Sequence, residues 1–332
     1  MTVQQSRSAW THGQIVELIT SCDGMADWSD LSELLSRPFG GEIKPSWEYA
    51  CHAAAASGGT WESGLPAAAA VLCLHYSIHL VDDVLDEDPA GLQHRLGHGP
   101  VFNMATACQA VAGLCLARAD AEAGVAADLH LQLHETVVDT GYGQFLDASD
   151  PVDEDGYWVA VRAKTPPLFR CALFMGARLA GASRRQALET AELGRFLGEI
   201  AQINDDLGDA VERPARPDWE RRGGNLAILF AASAEHPEQA RFLNLAEQLR
   251  AGSGDSATLE EAQDILIRSG AVSYCVHRLV DSYRQGLARL AQLALAERRW
   301  LVELFEYQLE PLRRLLDRLG IDGAELELGS TS

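Results

Sequence analysis

The spacing of apolar residues constrains the fold of this chain more than any other feature. Apolar residues recur three or four positions apart through long stretches rich in alanine and leucine, a pattern typical of helices that bury one face. These stretches are 66–86, 103–123, 128–147, 186–211, 237–249, 259–269 and 285–319. No run alternates apolar and polar residues with the period of two that predicts a strand. The sequence therefore predicts an all-α fold, a helical bundle.

Short clusters of glycine, proline, serine and aspartate separate the predicted helices, and none is long enough to be an interdomain linker. We expect a single domain over residues 1–325 and a disordered tail over 326–332. The longest apolar run, 67–74, is too short to span a membrane, and residues 1–10 contain no signal-peptide core. These features predict a cytoplasmic protein without a membrane-spanning segment.

The charge balance argues against one class of partner. The chain carries 27 basic and 48 acidic residues, a formal net charge of −21, so it lacks the basic surface that nucleic acids require. An anionic substrate is still compatible with this charge, because metal ions can invert the sign of an acidic pocket. The seven cysteines are scattered without a C-x-x-C pair, which indicates reduced core residues rather than a metal or redox site.

A first acidic cluster follows the apolar helix predicted at 65–81. It contains five acidic residues within positions 82–88, before Pro89 ends the helix. Carboxylates one turn apart, such as Asp82 and Asp86, destabilise a helix by about 0.2–0.5 kcal/mol per pair. The negative end of the helix dipole adds to that cost. Nothing nearby in the sequence offsets it, which favours a functional role for the cluster.

A second acidic cluster repeats this arrangement in the helix predicted at 198–211. Its polar residues share one face: Gln202, Asp205, Asp206 and Asp209. Carboxylates at this spacing suit Mg²⁺, which takes one or two protein carboxylates and completes its octahedron with water and phosphate oxygens. One such cluster is more often a solvated helix end, but two of the same design indicate a site for Mg²⁺ and a diphosphate. The chain has neither Glu-x-x-His nor HExxH, the motifs of di-iron and zinc enzymes.

These motifs resemble those of the trans-isoprenyl diphosphate synthase (polyprenyl synthetase) family. Residues 82–86 are similar to its first DDxxD motif and residues 198–209 to its second. Between them, residues 143–147 match its GQxxD motif, and Lys164-Thr165 matches its KT segment. The resemblance covers about residues 40–235.

The resemblance implies an isoprenoid synthase bundle with a central active-site cavity, usually a homodimer. Its two aspartate motifs would bind three Mg²⁺ ions that draw the diphosphate from an allylic prenyl substrate. It implies Asp82, Asp86 and Asp205 as the main ligands, Asp83, Asp206 and Asp209 in supporting roles, and Lys164 on the diphosphate. Further candidates on the diphosphate side are Gln144, Gln202, Arg221 and Arg222. Independently of the family, Pro166-Pro167 must interrupt a helix, which allows the neighbouring Lys164 to turn inward.

Three basic segments of the family are altered in this chain. Chain-elongating members carry a GKRxRP segment that binds isopentenyl diphosphate, whereas residues 40–45 read Gly-Gly-Glu-Ile-Lys-Pro. The arginine pair that usually follows the first motif is missing from 88–97, and only Arg221 or Arg222 could replace the lysine beyond the second motif. A second diphosphate would lose charge-assisted partners, each contributing about 1.5–3 kcal/mol.

We therefore expect a Mg²⁺-dependent enzyme that ionises an allylic prenyl diphosphate and cyclises or quenches the cation, as terpene synthases do. The small Ser77 before the first motif favours a C15–C20 substrate. The alternative is a prenyltransferase of this family that either elongates with isopentenyl diphosphate or prenylates a non-phosphorylated acceptor. A second alternative is a non-catalytic regulatory subunit of a prenyl synthase, which has less reason to keep both aspartate clusters.

Overall fold

The computed structural model describes residues 3–37, 46–149, 153–211, 217–220 and 224–319. These residues form helices and short 3-10 turns without a strand, so the all-α prediction is confirmed. The helices are α1 (Val3–Thr20), α2 (Ser29–Ser36), α3 (Glu48–Ala56), α4 (Leu65–Leu85), α5 (Gln93–Leu96), α6 (His98–Ala117), α7 (Ala123–Asp147), α8 (Glu154–Lys164), α9 (Pro166–Leu179), α10 (Arg184–Ala191), α11 (Leu193–Val211), α12 (Leu226–Ser233), α13 (Gln239–Arg250), α14 (Ser256–Arg268), α15 (Ala271–Ala291), α16 (Arg299–Gln308) and α17 (Glu310–Leu319).

The predicted helices are found, but two of the long stretches are divided. The stretch 186–211 is split between α10 and α11, and 285–319 is shared by α15, α16 and α17. A tertiary contact holds the loop between α15 and α16, where the Glu297 N–H donates to the Ala56 carbonyl at the end of α3 (3.1 Å). Because that partner is remote in sequence, apolar spacing could not predict the break. The predicted tail lies outside the described residues.

The core is built around α4, which is apolar on every side over its first half. Residues 67–74 are all buried, as expected of a helix that is hydrophobic all round. This helix packs against α6 and α9, and α9 packs against α3 and α11. Gly176 allows the contact between α9 and α3, because a Cβ there would lie 2.0 Å from the Ala50 carbonyl oxygen. All seven cysteines are buried and free, as predicted.

Two helical segments of the described chain are long and apolar enough to cross a membrane. They are Glu62–Leu85, which contains α4, and His98–Ala117, which is α6. The first is mostly buried inside the protein, and the second is buried over less than half of its apolar window. One or two such helices are weak evidence for a membrane protein, because core helices of soluble proteins share these properties.

Candidate active site

The first acidic cluster forms the end of α4 and the turn that follows it. After Leu85 the chain reverses at Glu87, whose φ of 52° lies in the left-handed region. The Asp88 N–H donates to the Asp83 carbonyl at 2.9 Å, and the Gln93 side-chain amide donates to the same carbonyl at 2.7 Å. These bonds satisfy a terminal carbonyl of the helix, so the acidic residues are held in a defined turn.

The carboxylates of this cluster repel one another. Burial, together with the charges of Asp88, Asp82 and Asp86, raises the pKa of Asp83 to about 6. The structure thus contains the repulsion that the one-turn spacing predicts. A cation bound here would relieve it, because positive charge favours the ionised form of every neighbouring carboxyl group.

Lys164 connects the first cluster to α7 and α8. It is the last residue of α8, and its side chain turns inward, as the break at Pro166 predicts. Its Nζ donates to Asp82 Oδ1 and to Asp147 Oδ2, both at 3.0 Å, and Gln144 Nε2 donates to the same Asp82 Oδ1 at 2.8 Å. Burial lowers the pKa of Lys164, but the two carboxylates raise it further, so the ammonium stays charged. Lys44 is the only other lysine in the chain.

Two glycines bring this lysine between the helices that carry the site. A Cβ on Gly143 of α7 would lie 2.3 Å from the Lys164 backbone nitrogen. A Cβ on Gly198 of α11 would lie 2.6 Å from the Cα of Pro166. Larger residues at either position would push the junction of α8 and α9 away from its neighbours. Both glycines belong to the motifs found in the sequence, which gives those motif positions a steric reason.

In the second cluster, the side chain of Asp205 is accessible to solvent, although protein surrounds it on most sides. Burial and the charges of Asp209 and Asp218 raise the pKa of Asp205 to about 7, and the positive charge of Lys164 opposes them. One ammonium therefore bonds directly to the first cluster and acts electrostatically on the second. Thr165, which follows Lys164 in the chain, donates to Gln202 Oε1 on the helix of the second cluster at 2.9 Å, so both clusters lie beside the junction of α8 and α9.

Asp206 has a different environment from its neighbour, since its side chain is only 1% exposed. Three groups donate to its carboxylate: the Tyr157 hydroxyl at 2.6 Å, the Leu226 N–H at 2.7 Å and Gln202 Nε2 at 2.9 Å. Burial and the charge of Asp218 raise the pKa of Asp206 to about 8, and the three hydrogen bonds oppose that rise. Direct metal binding by Asp206 stays a prediction, and these internal bonds disfavour it.

The structure adds side chains that were not among the predicted site residues. They are Asp147, Tyr157, Thr165 and Asp218. Helical spacing could have found the first two: Asp147 closes the GQxxD motif one turn after Gln144, and Tyr157 is two turns before Lys164. Asp218 lies beyond a proline-rich stretch, and no sequence signal points to it. The predicted Arg221 and Arg222 and the altered segment 40–45 lie outside the described residues.

The oxygen donors of the two clusters suit a hard cation that brings further ligands with it. Within the described part of the chain, no three His, Cys, Asp or Glu residues converge closely enough to hold a metal ion alone. Mg²⁺ does not need such a cage, since it is usually bound by one or two carboxylates, water and substrate phosphate. Burial and neighbouring carboxylates raise the pKa of Asp83 and of Asp205, so a cation bound beside them would stabilise their ionised forms. The residues therefore fit Mg²⁺ together with a diphosphate.

The comparison with known families now decides what kind of enzyme carries this site. The model of the family described as polyprenyl synthetase matches residues 31–266. The chain belongs to the polyprenyl synthetase family. The short chain isoprenyl diphosphate synthase of Methanothermobacter thermautotrophicus is 28% identical over 287 residues, which cover 79% of this chain and 83% of the relative. The chain is accordingly an enzyme of isoprenoid biosynthesis and a prenyltransferase by family.

Solved structures confirm the fold. A geranylgeranyl pyrophosphate synthase structure superposes with a TM-score of 0.80 at 19% identity, covering 94% of this chain and 99% of that one. The Corynebacterium glutamicum geranylgeranyl pyrophosphate synthase, complexed with calcium and isoprenyl diphosphate, superposes with a TM-score of 0.74 at 20% identity, covering 95% and 98%. The expectation of terpene-synthase-like cyclisation finds no support in these relatives, and the prenyltransferase alternative fits them better. Altered basic segments alone were too weak a basis for cyclisation.

Proposed function

We propose that the protein is a Mg²⁺-dependent prenyltransferase that lengthens an allylic prenyl diphosphate with isopentenyl diphosphate. The observation that carries the proposal is the place of Lys164, whose ammonium bonds to Asp82 while the adjacent Thr165 bonds to Gln202 on the helix of the second cluster. A substrate diphosphate lying beside this ammonium would be within reach of both clusters. The prenyl diphosphate synthases among the relatives give independent support.

The residues of the site would have three roles in this reaction: binding the ions, binding the diphosphate and shielding the cation. Asp82, Asp86 and Asp205 would hold the ions, three by analogy with the family, and Mg²⁺ when bound supplies the positive charge that stabilises the departing diphosphate. Lys164 would donate to a diphosphate oxygen, as a compact charge with three donors. Partly buried apolar residues just before Asp82, such as Val81, would shield the allylic cation from water.

A second candidate concerns the acceptor, which could be a polar molecule without phosphate. In addition to the altered segment 40–45, one structural observation favours this second candidate. Ser46 Oγ lies 2.8 Å from His75 Nδ1, and His75 Nε2 lies 2.8 Å from His79 Nε2, one turn before Asp82. Burial lowers the pKa of both histidines, so the pair offers hydrogen bonds rather than charge. Neutral donors and acceptors suit a hydroxyl group better than a second diphosphate.

Chain length is the least constrained part of the proposal. Ser77 is buried, and its hydroxyl accepts a hydrogen bond from Gln109 Nε2 of α6 at 3.0 Å. The hydroxyl is therefore engaged with the neighbouring helix. A C15–C20 substrate remains our proposal, as does a cytoplasmic location.

The outer faces of α6 and α7 support a homodimer. These helices pack side by side and expose a group of large apolar side chains. The group comprises Phe102 and Leu114 on α6 and Leu131, Val138, Tyr142 and Phe145 on α7. Val138 and Phe145 are 70% and 72% exposed. Apolar patches of this kind mark protein interfaces, and we propose that a second copy of the chain covers this one.

The test combines purified protein and Mg²⁺ with geranyl, farnesyl or geranylgeranyl diphosphate, with and without isopentenyl diphosphate. Diphosphate release and organic products are measured. A longer prenyl diphosphate formed only when isopentenyl diphosphate is present is the expected result.

Other outcomes would change the assignment. Release of diphosphate without isopentenyl diphosphate, with hydrocarbon or alcohol products, would contradict elongation. It would instead support cyclisation or quenching of the cation. Prenylation of an added alcohol or phenol, but not of isopentenyl diphosphate, would establish the second candidate. No turnover of any substrate would leave the regulatory subunit as the remaining alternative.

A further inference from the structure

Adjacent carboxylates of the second cluster have opposite surroundings. Asp205 is exposed, whereas Asp206 is buried and receives three hydrogen bonds. The donors come from different parts of the fold, with Tyr157 on α8, Gln202 on α11 and the Leu226 N–H at the start of α12. Asp206 is therefore a point at which three helices are joined.

A second layer of hydrogen bonds fixes these donors in turn. Thr165 Oγ1 donates to Gln202 Oε1 at 2.9 Å, which orients the amide so that its nitrogen faces Asp206. Asn225 Nδ2 donates to the Asp206 backbone carbonyl and to Asp218 Oδ2, each at 2.8 Å. Both the side chain and the backbone of Asp206 are thus held, which leaves α11 little freedom to rotate at this position.

We propose that Asp206 orients the second cluster without binding metal itself, and that Tyr157 is a positioning residue that acts through it. The inference rests on the proposed Mg²⁺ and diphosphate site. Successive residues of an α-helix project about 100° apart, so a rotation of α11 that moves Asp206 also moves Asp205. Fixing the buried carboxylate therefore fixes the direction of the exposed one. Groups that orient metal ligands in this way affect metal affinity although they do not touch the ion.

The first experiment compares two matched substitutions. Tyr157→Phe removes a hydroxyl that donates to Asp206, and Tyr283→Phe removes one that donates to Glu306 at 2.5 Å. Both tyrosines are 2% exposed, so the substitutions should cost similar packing and hydrogen-bond energy. Binding of Mg²⁺ with inorganic diphosphate is measured by calorimetry, with thermal unfolding recorded for each variant.

We expect Tyr157→Phe to weaken Mg²⁺-dependent diphosphate binding by about 10- to 100-fold. Tyr283→Phe should stay within about twofold of the wild type at this site, although both variants unfold at lower temperature. Equal affinity in all three proteins, or equal loss in both variants, would overturn the positioning role. Should Tyr157→Phe not fold, Thr165→Val removes only the donor that orients Gln202, and unchanged affinity there would overturn the proposal too.

A double-variant cycle tests whether the tyrosine acts through Asp206. Asp206→Asn is combined with Tyr157→Phe, and the loss in the double variant should be close to the larger single loss. Additive losses would contradict the proposed route. Because inorganic diphosphate is the probe, a wild type that binds it with Mg²⁺ but does not extend prenyl diphosphates would reject the proposed function alone. A wild type that does not bind it would overturn both.

Discussion

The first acidic cluster ends a helix and bonds to a cation, whereas the second lies on a helix and is held by neutral donors. At the first, Asp82 bonds to the ammonium of Lys164, a point charge on a flexible stem. At the second, Asp206 bonds to a phenol, an amide and a backbone N–H. Two copies of one sequence motif are therefore stabilised by different interactions, an ion pair in the first and hydrogen bonds from neutral donors in the second. The first cluster is held by one flexible cation, whereas the carboxylate of Asp206 in the second is fixed by three donors.

Removal of either main ligand should give the largest effect. We expect Asp82→Ala and Asp205→Ala each to reduce kcat/KM by at least about 1,000-fold, because several kcal/mol of charge stabilisation would be lost. Steady-state kinetics with an allylic diphosphate measure this loss. Asp281→Ala provides the control, since Asp281 is exposed on α15 and accepts a hydrogen bond from Gln285 Nε2 at 2.7 Å. Unchanged turnover in both ligand variants would refute the site.

Lys164 bonds directly to the first cluster and not to Asp206, so its substitution tests the role of the cation at the first cluster. Lys164→Met should lower kcat by about 100-fold, because a preorganised donor to the departing diphosphate is lost. Lys164→Arg keeps the charge, but its planar fork is not equivalent to an ammonium, so activity should recover only in part. The comparison uses kcat and KM determined separately. A rise in KM with unchanged kcat would show that Lys164 binds substrate without stabilising the transition state.

The pH dependence of stability should reveal the carboxylates whose pKa is raised by burial and by neighbouring negative charges. The pKa values of Asp83 and Asp205 are raised to about 6 and about 7, so the folded protein binds protons that the unfolded chain releases near its ordinary pKa of 3.8. Stability therefore falls as pH rises from about 4 to about 7, and the pKa of Asp206, raised to about 8, continues the fall to about pH 8. Thermal unfolding without divalent ions should show this fall, and Mg²⁺ with inorganic diphosphate should reduce it. A stability that rises across this range would contradict the raised pKa values. A fall in Asp205→Asn of the same size as in the wild type would contradict the contribution of Asp205.

A substitution on the exposed face of α7 should have the smallest effect on activity. It should act on the first cluster alone. α7 supplies Gln144 and Asp147 to that cluster, whereas the second is built from α8, α11 and α12. Val138→Lys should convert a dimer to a monomer, because an exposed apolar contact becomes charged, and should lower activity only a few-fold, about twofold to fivefold. Light scattering measures the mass, with Val159→Lys on α8 as the control. A wild type that is already monomeric would remove the dimer proposal.

Much of the fold and part of the site could be predicted from the sequence. The helical period, the proline break after Lys164 and the spacing of Asp82, Asp86, Asp205 and Asp209 are local patterns, and local patterns can be read along a chain. The division of 285–319 into three helices could not, because a bond from Glu297 to the end of α3 holds the loop. The preference for cyclisation was drawn from altered basic segments, and the relatives favour prenyl transfer instead.

The sequence by itself determined an all-α bundle with two acidic motifs, since side chains that repeat with the period of a helix must share a face whatever surrounds them. Only the tertiary structure decided which aspartate is available and which is engaged. Asp205 and Asp206 are adjacent and chemically identical, yet one is exposed and the other is buried and receives a hydrogen bond from a tyrosine 49 positions earlier. Packing of α8 and α12 against α11 makes that distinction, because burial and hydrogen bonding depend on neighbours in space.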